Sequence, residues 1–292
     1  MASVNMFDPV SIGSIRTRNR ICIPPMVIYH ISDETGTVKP QNVEHYRALA
    51  RGGAGLIIQE ATCISPEGRL SRDQLGIWSD DQIPGLRNIT EAVHQEGCPI
   101  FVQLHHAGLV SIGTDTLCPS DYAMDTNKGW KTGHEMTRDD IHRIRDAFIQ
   151  AAVRAEQAGY DGVELHGCHG YLLCQFFNNR VNRRTDEYGQ PEKLTLEIME
   201  GIRASVGKDF VLGIRLGAFE PTLEDGIAHA KTLQAHGIQF IDVSYGFTAE
   251  SEPKAPGNPE LLDVIRAAGE IQKRVSVPVF AVNSIRTPAQ AQ

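Results

Sequence analysis

The six cysteines (Cys22, Cys63, Cys98, Cys118, Cys168 and Cys174) include no C-x-x-C pair and no His/Cys spacing suited to zinc or an iron–sulfur cluster. We therefore expect no metal site, and cysteines that are reduced, small and partly buried, as in a cytosolic protein. Positive charge is also in short supply. With 28 Lys and Arg against 36 Asp and Glu, the formal net charge is -8, which argues against nucleic acid as a partner, because phosphate backbones select clustered cations. No stretch approaches the ~18 apolar residues of a membrane span, and the start MASVNMFDPVSIGS lacks a basic segment followed by an apolar run. These absences point to a cytoplasmic protein whose partner is a small molecule rather than a membrane or a nucleic acid.

What is present is a long alternation of short β-branched runs with amphipathic stretches, the pattern of parallel strands joined by helices. Seven strands are expected, over 20–23, 55–62, 99–104, 162–166, 210–216, 240–244 and 277–282. The stretch 137–162 shows the helical design: Thr137 as N-cap, Ile141, Ile144, Phe148 and Ala152 on one face, Gly159 as the stop. The stretches 223–239 and 258–278 repeat it. Residues 7–20, with short alternating runs around Gly13, read as a hairpin closing the barrel's N-terminal mouth. Residues 111–135, rich in Thr, Asp, Gly and Ser, read as a long loop on the side where such a scaffold carries function. No break in composition marks a linker, so residues 1–292 read as one domain. The fold class is α/β, a (β/α)8-type barrel with the eighth strand and helix missing from these residues, which leaves two strand edges unpaired.

One segment stands out chemically. In VELHGCHGYLLCQFF (163–177) a strand delivers His166 to its C-terminal end, and a glycine-rich turn presents His169 and Tyr171. Two imidazoles three residues apart can converge on one oxygen and stabilise negative charge as an enolate forms, and a phenol beside them can donate a proton. The same pair could instead bind a metal or simply pack. Arg215 lies within the apolar run FVLGIRLG, where an unpaired charge is costly, so it needs either an anionic ligand or a neighbouring acid.

The continuation FFNNRVNRRTDEYG (176–189), with NRICIPPM (19–26), LIIQEATCISPEGR (56–69), LGIWSDDQIPGL (75–86), VQLHHAG (102–108) and PVFAVNSIRTP (278–288), resembles the old yellow enzyme family in the family's own order. The branch it resembles is that of bacterial 2,4-dienoyl-CoA and enoate reductases. The resemblance implies FMN, NAD(P)H as hydride donor, an α,β-unsaturated carbonyl or carboxyl compound as acceptor, and a homo-oligomer. By resemblance, Gln103 meets the pyrimidine edge of the flavin and Arg215 its electron-rich N1 and O2. The backbone of Pro24, Pro25 and Met26 lies along the ring, Ala61 lets the ring approach, and Asn283 and Ser284 stand at the phosphate. His166 and His169 bind substrate and, with Tyr171, carry catalysis, His166 also touching the cofactor; Tyr29 lines the substrate pocket.

Four departures are visible. Val27 replaces the cysteine with which some relatives tune the flavin. Asn283 and Ser284 replace a glycine-rich turn, and Asn178 and Asn179 replace a Ser-Pro pair. QPEKLTLEIM (190–199) lacks a glycine and an arginine usual after Tyr188 and Gly189. The expected activity is that of an NAD(P)H-dependent flavin oxidoreductase acting on C=C bonds. The rival readings are a flavin-binding or scaffold protein without turnover, and a flavin-free barrel enzyme using the His pair as acid and base.

Overall fold

The computed structural model describes residues 5–113, 116–126, 129–247 and 263–291. Seven parallel strands form one sheet in chain order: β1 (Cys22–Ile23), β2 (Leu56–Cys63), β3 (Ile100–His105), β4 (Gly162–Gly167), β5 (Val211–Gly217), β6 (Ile241–Ser244) and β7 (Val279–Ala281). All seven expected strands are present. The sheet curls into a nearly closed barrel whose free edges are β1 and β7, and a groove of about 1000 Å³ between them is lined by Ile21, Cys22, Val279, Phe280 and Ile285 among others.

Helices follow the strands as the apolar spacing requires. The helix Arg138–Gln157 starts at Thr137, whose hydroxyl accepts from the Asp140 amide while the Asp140 carboxylate accepts from the Thr137 amide. Such a reciprocal box satisfies two of the amides that a helix start leaves without partners. Ile141, Ile144, Phe148 and Ala152 are all buried on one face. The stretch 223–239 forms a helix over Leu223–Ala235, capped in the same way by Thr222 and Asp225. Of the stretch 258–278, a helix is seen over Asp263–Gln272, and residues 258–262 lie outside the described residues.

Residues on each strand divide by parity. Ile57, Val102, Leu104, Val163, Leu165, Leu212, Ile214, Ile241 and Val243 pack outward against the helices. Leu56, Ile58, Phe101, Val211 and Phe240 point inward and form a separate apolar floor. The expected hairpin closes this floor from below: Ser11–Ile12 pairs antiparallel with Ile15–Arg16, and Ile12 is buried in the floor. Its turn uses Gly13 at φ +56°, a conformation that side chains rarely adopt, close against Gln239 and Val211.

One expectation needs correcting. Residues 111–135 are not an irregular loop: strands Thr116–Cys118, Tyr122–Thr126 and Gly129–Glu135 make a small three-stranded sheet, with residues 114–115 and 127–128 outside the described residues. The Thr, Ser and Gly content hid alternate positions that bury Thr116 and Cys118. Among the described residues no helix is long and apolar enough to cross a membrane.

Candidate active site

The inward positions change character as each strand climbs. On β3 they run Phe101, Gln103, His105; on β4, Gly162, Glu164, His166. Val211 gives way to Arg215 on β5, and Phe240 is followed by Asp242 and Ser244 across β6. Register places these polar groups side by side: Gln103 is opposite Glu164, and Arg215 lies between His166 and Asp242. On β2 the alternation is broken by a register shift between Gln59 and Thr62, so Glu60 turns to the Tyr46 hydroxyl on α1 (Pro40–Arg51) and Ala61 faces the interior cavity. A bulge of this kind re-aims side chains near functional sites.

Three imidazoles and a hydroxyl form a continuous chain. His105 Nδ1 lies 2.9 Å from His166 Nδ1, His166 Nε2 lies 3.1 Å from His169 Nδ1, and His169 Nε2 lies 2.6 Å from Ser244 Oγ. His169 takes a left-handed backbone, φ +59°, with its amide donating to the Tyr245 carbonyl. Burial lowers His105 and His169 to about 3 and His166 well below its ordinary value, with the Arg215 charge adding to the effect on His166 and His169, so all three rings are neutral at physiological pH. Tyr171 stands edge-on to His105 and His166, and burial raises its phenol, which keeps its proton. His166, Cys168 and His169 also place ligand atoms within 4.8 Å of one another. The two rings already bond to each other, and burial raises the Cys168 thiol well above its ordinary value.

Arg215 meets an acid, the alternative that its apolar surroundings left open. Its Nε is 3.0 Å from Asp242 Oδ2, and its Nη1 lies 3.4 Å from the Pro25 carbonyl. Burial works against the guanidinium charge and Asp242 restores it. Burial raises Asp242 to about 6 against the pull of Arg215, and raises Glu164 well above the carboxylate range. Of the two acids, Glu164 is the one that burial drives harder toward the protonated form, and Asp242 is the one paired with Arg215. Gln103 donates one amide hydrogen to Glu164 Oε1 at 2.7 Å, which leaves its carbonyl oxygen and its second amide hydrogen to offer a ligand.

Above this layer is a cavity of about 190 Å³ lined by Pro25, Val27, Tyr29, Ala61, Leu70, Gln103, His166, His169, Tyr171 and Arg215. Eight residues singled out from sequence thus meet at one place. Pro24, Asn283 and Ser284 lie instead along the groove between β1 and β7, which Asp242 also lines, so the Arg215–Asp242 pair separates the two spaces. Met26 lines neither and is 61% exposed. Asn283 and Ser284 adopt φ +99° and +51°, which is why glycine suits a turn here. The residues that sequence reading missed are His105, Glu164, Asp242, Ser244 and Leu70. The first four had a signal: a polar residue two positions from another on a strand otherwise apolar.

Behind the cavity, Asn178 has a role that its departure from the family pattern did not disclose. Its Nδ2 donates to Glu220 Oε2 at 2.8 Å, and the Cys174 thiol donates to Glu220 Oε1 at 2.7 Å. Gly217 and Gly246 leave the room that this buried carboxyl occupies. Glu220 thereby ties the loops after β5 and β6 to the short helix Leu172–Phe177 that follows the His pair.

The family model described as "NADH:flavin oxidoreductase / NADH oxidase family" matches residues 5–292. The chain belongs to that family. It is 37% identical over 305 residues to an NADH oxidase of Thermoanaerobacter brockii, covering 99% of this chain and 46% of that one, so it spans about half that relative's length. It is 34% identical over 296 residues to an NADPH dehydrogenase of a Geobacillus species, covering 98% and 85%. The solved old yellow enzyme homologue of Zymomonas mobilis superposes with a TM-score of 0.82 at 29% identity, covering 99% of this chain and 84% of that one. Membership brings FMN as cofactor with NAD(P)H as electron donor.

The residues present fit that group. Arg215 Nε, both Asp242 carboxylate oxygens and Glu164 Oε2 are buried with no hydrogen-bond partner of good geometry. Clustered orphan polar atoms beside a cavity are the mark of a polar ligand's place. The small cavity alone is below the ~300 Å³ usual for ligand sites, and the groove that carries Asn283 and Ser284 lies on the other side of the Arg215–Asp242 pair.

Proposed function

We propose that residues 1–292 act as one FMN-binding unit that reduces the C=C bond of an α,β-unsaturated carbonyl or carboxyl compound with NAD(P)H. When bound, FMN would supply hydride transfer from the nicotinamide to the acceptor's β-carbon. Gln103 and Arg215 would hold its polar edges, Pro24, Pro25 and Ala61 would border the ring, and Asn283 and Ser284 would receive the phosphate. Met26 enters this reading through its backbone only.

His166 and His169 would donate hydrogen bonds to the acceptor's oxygen. Because both are neutral and buried, their N–H groups are fixed dipoles aimed where enolate charge grows, in surroundings of low dielectric. Tyr171, kept protonated by burial, would pass its proton to the α-carbon, and Tyr29, 48% exposed at the rim, would contact the acceptor. A branch acting on CoA thioesters or enoates belongs to the same reading.

The observation that carries it is that Gln103, Arg215, His166, His169 and Tyr171 line one cavity. To test it, the protein is reconstituted with FMN, reduced anaerobically with NADH or NADPH, and mixed with unsaturated ketones, acids and thioesters in a stopped-flow instrument. Replacing His166 and His169 together by alanine should slow reoxidation by the acceptor about 100-fold and slow reduction by the nucleotide much less. Equal losses in both half-reactions would refute the assignment. Protein that stays colourless with added FMN would favour the reading without turnover.

A further inference from the structure

His105 is fully buried and does not line the cavity, yet its Nδ1 faces His166 Nδ1 at 2.9 Å. His166 therefore gives Nδ1 to His105 and keeps Nε2 on the side of His169, which does line the cavity. We propose that His105 is a positioning residue that fixes the proton of His166 on Nε2, so that the pair meets a substrate oxygen as hydrogen-bond donors. The proposal rests on the role assigned to His166 and His169 above and deepens it.

Counting hydrogens decides the direction of the chain. Each neutral ring carries one N–H, and the three contacts need three donors pointing the same way. In one direction His105 Nδ1–H donates to His166, His166 Nε2–H donates to His169, and His169 Nε2–H donates to Ser244. In the other, Ser244 donates to His169 Nε2 and each ring passes its hydrogen back toward His105.

The two directions differ at the buried end. His105 Nε2 has no partner. The first direction leaves it a bare lone pair, and the second leaves it an N–H with nothing to receive it. Orphaned buried N–H groups are rare and costly, so the first direction is the stable one. It leaves hydrogens on Nε2 of both His166 and His169, held by His169 Nδ1 and Ser244 Oγ until an entering substrate oxygen takes the place of those internal acceptors. The second would turn a lone pair of His166 toward the substrate's own lone pairs. The Tyr171 ring, edge-on to His105 with centroids 4.5 Å apart, helps hold the imidazole plane.

The test reads tautomers directly. Nitrogen-15 spectra of the ring-labelled full chain should show His166 with a protonated Nε2 and a bare Nδ1. A proton found on His166 Nδ1 in the unsubstituted protein overturns the proposal without any variant. In His105→Phe, which keeps a ring but cannot donate, His166 should become a mixture of tautomers, and reoxidation by an unsaturated acceptor should slow several-fold to about tenfold, with reduction by the nucleotide unchanged. His105→Asn, whose amide reaches the same position, should restore the Nε2 tautomer and most of the rate. An unaltered His166 tautomer in His105→Phe would equally refute the idea. The spectra need no turnover, so a protein that reduces no acceptor yet shows this pattern would sink the functional reading and leave the hydrogen-bond chain standing.

Discussion

The two ends of the barrel are built from the same strands and follow opposite rules. At the floor, Leu56, Ile58, Phe101, Val211 and Phe240 fill the interior with Ile12 from the hairpin, and Phe101 stacks on Phe240 with centroids 5.4 Å apart. Two to four residues further along, the interior holds Gln103, His105, Glu164, His166, Arg215, Asp242 and Ser244, several with atoms that lack partners. Apolar burial stabilises at about 25 cal/mol per Å², whereas each unsatisfied polar group costs about 1–3 kcal/mol. The floor therefore holds the barrel together, and the rim spends part of that stability to keep charges and donors ready for a ligand.

The largest expected effects test this division. Phe101→Ala should cost about 3–5 kcal/mol through lost burial and a cavity, read by urea unfolding, while the surviving native protein still takes up FMN. Arg215→Met should cost a similar amount, about 3–5 kcal/mol, because it leaves buried acids without their cation, and it should abolish FMN uptake. Arg215→Met combined with Asp242→Leu should recover most of the stability and none of the FMN binding. A double variant as unstable as the single one would show that the rim pair supports the fold, and the contrast between the ends would fail.

Much of this contrast was legible in the sequence, and its limits have physical causes. Seven strands, the hairpin and the Thr137 cap follow from local rules of alternation, turn and capping that neighbouring residues suffice to express. The convergence of Gln103, Arg215, His166, His169 and Tyr171 came from resemblance, since they lie on three strands and a loop. The bulge that turns Ala61 inward and Glu60 outward depends on pairing with β3, so no single strand reveals it. His105 read as part of a motif, and only its distance to His166 shows the imidazole chain. The sheet within 111–135 was hidden because its strands are short and one pairs in parallel with a strand that is not its chain neighbour.

A mid-sized effect concerns Glu220, a buried acid of the rim. Burial pushes it up to about 7, opposed by the bonds from Cys174 and Asn178. The folded protein thus holds a proton that the unfolded chain releases near 4.5, so stability from this group is full below that pH and is lost as pH rises through about 7. The linked change is on the order of 3 kcal/mol. Glu60, also raised to about 7 by burial, acts in the same direction. Glu220→Gln should flatten the decline in unfolding free energy between pH 5 and 7.5 without removing it. An unchanged slope would mean that the charged form is already tolerated and that this part of the rim stores no cost.

The smallest effect is the sharpest test of separation between the ends. Ile58 is fully buried in the floor, one strand position before the bulge that begins the rim. Ile58→Val removes one methylene and should cost about 0.5–1.5 kcal/mol, with FMN affinity and both half-reactions unchanged. If the loss stays in stability, floor and rim are independent even at their boundary. If FMN affinity falls as well, the bulge is transmitting core packing to Ala61, and the floor helps shape the site as well as hold the barrel.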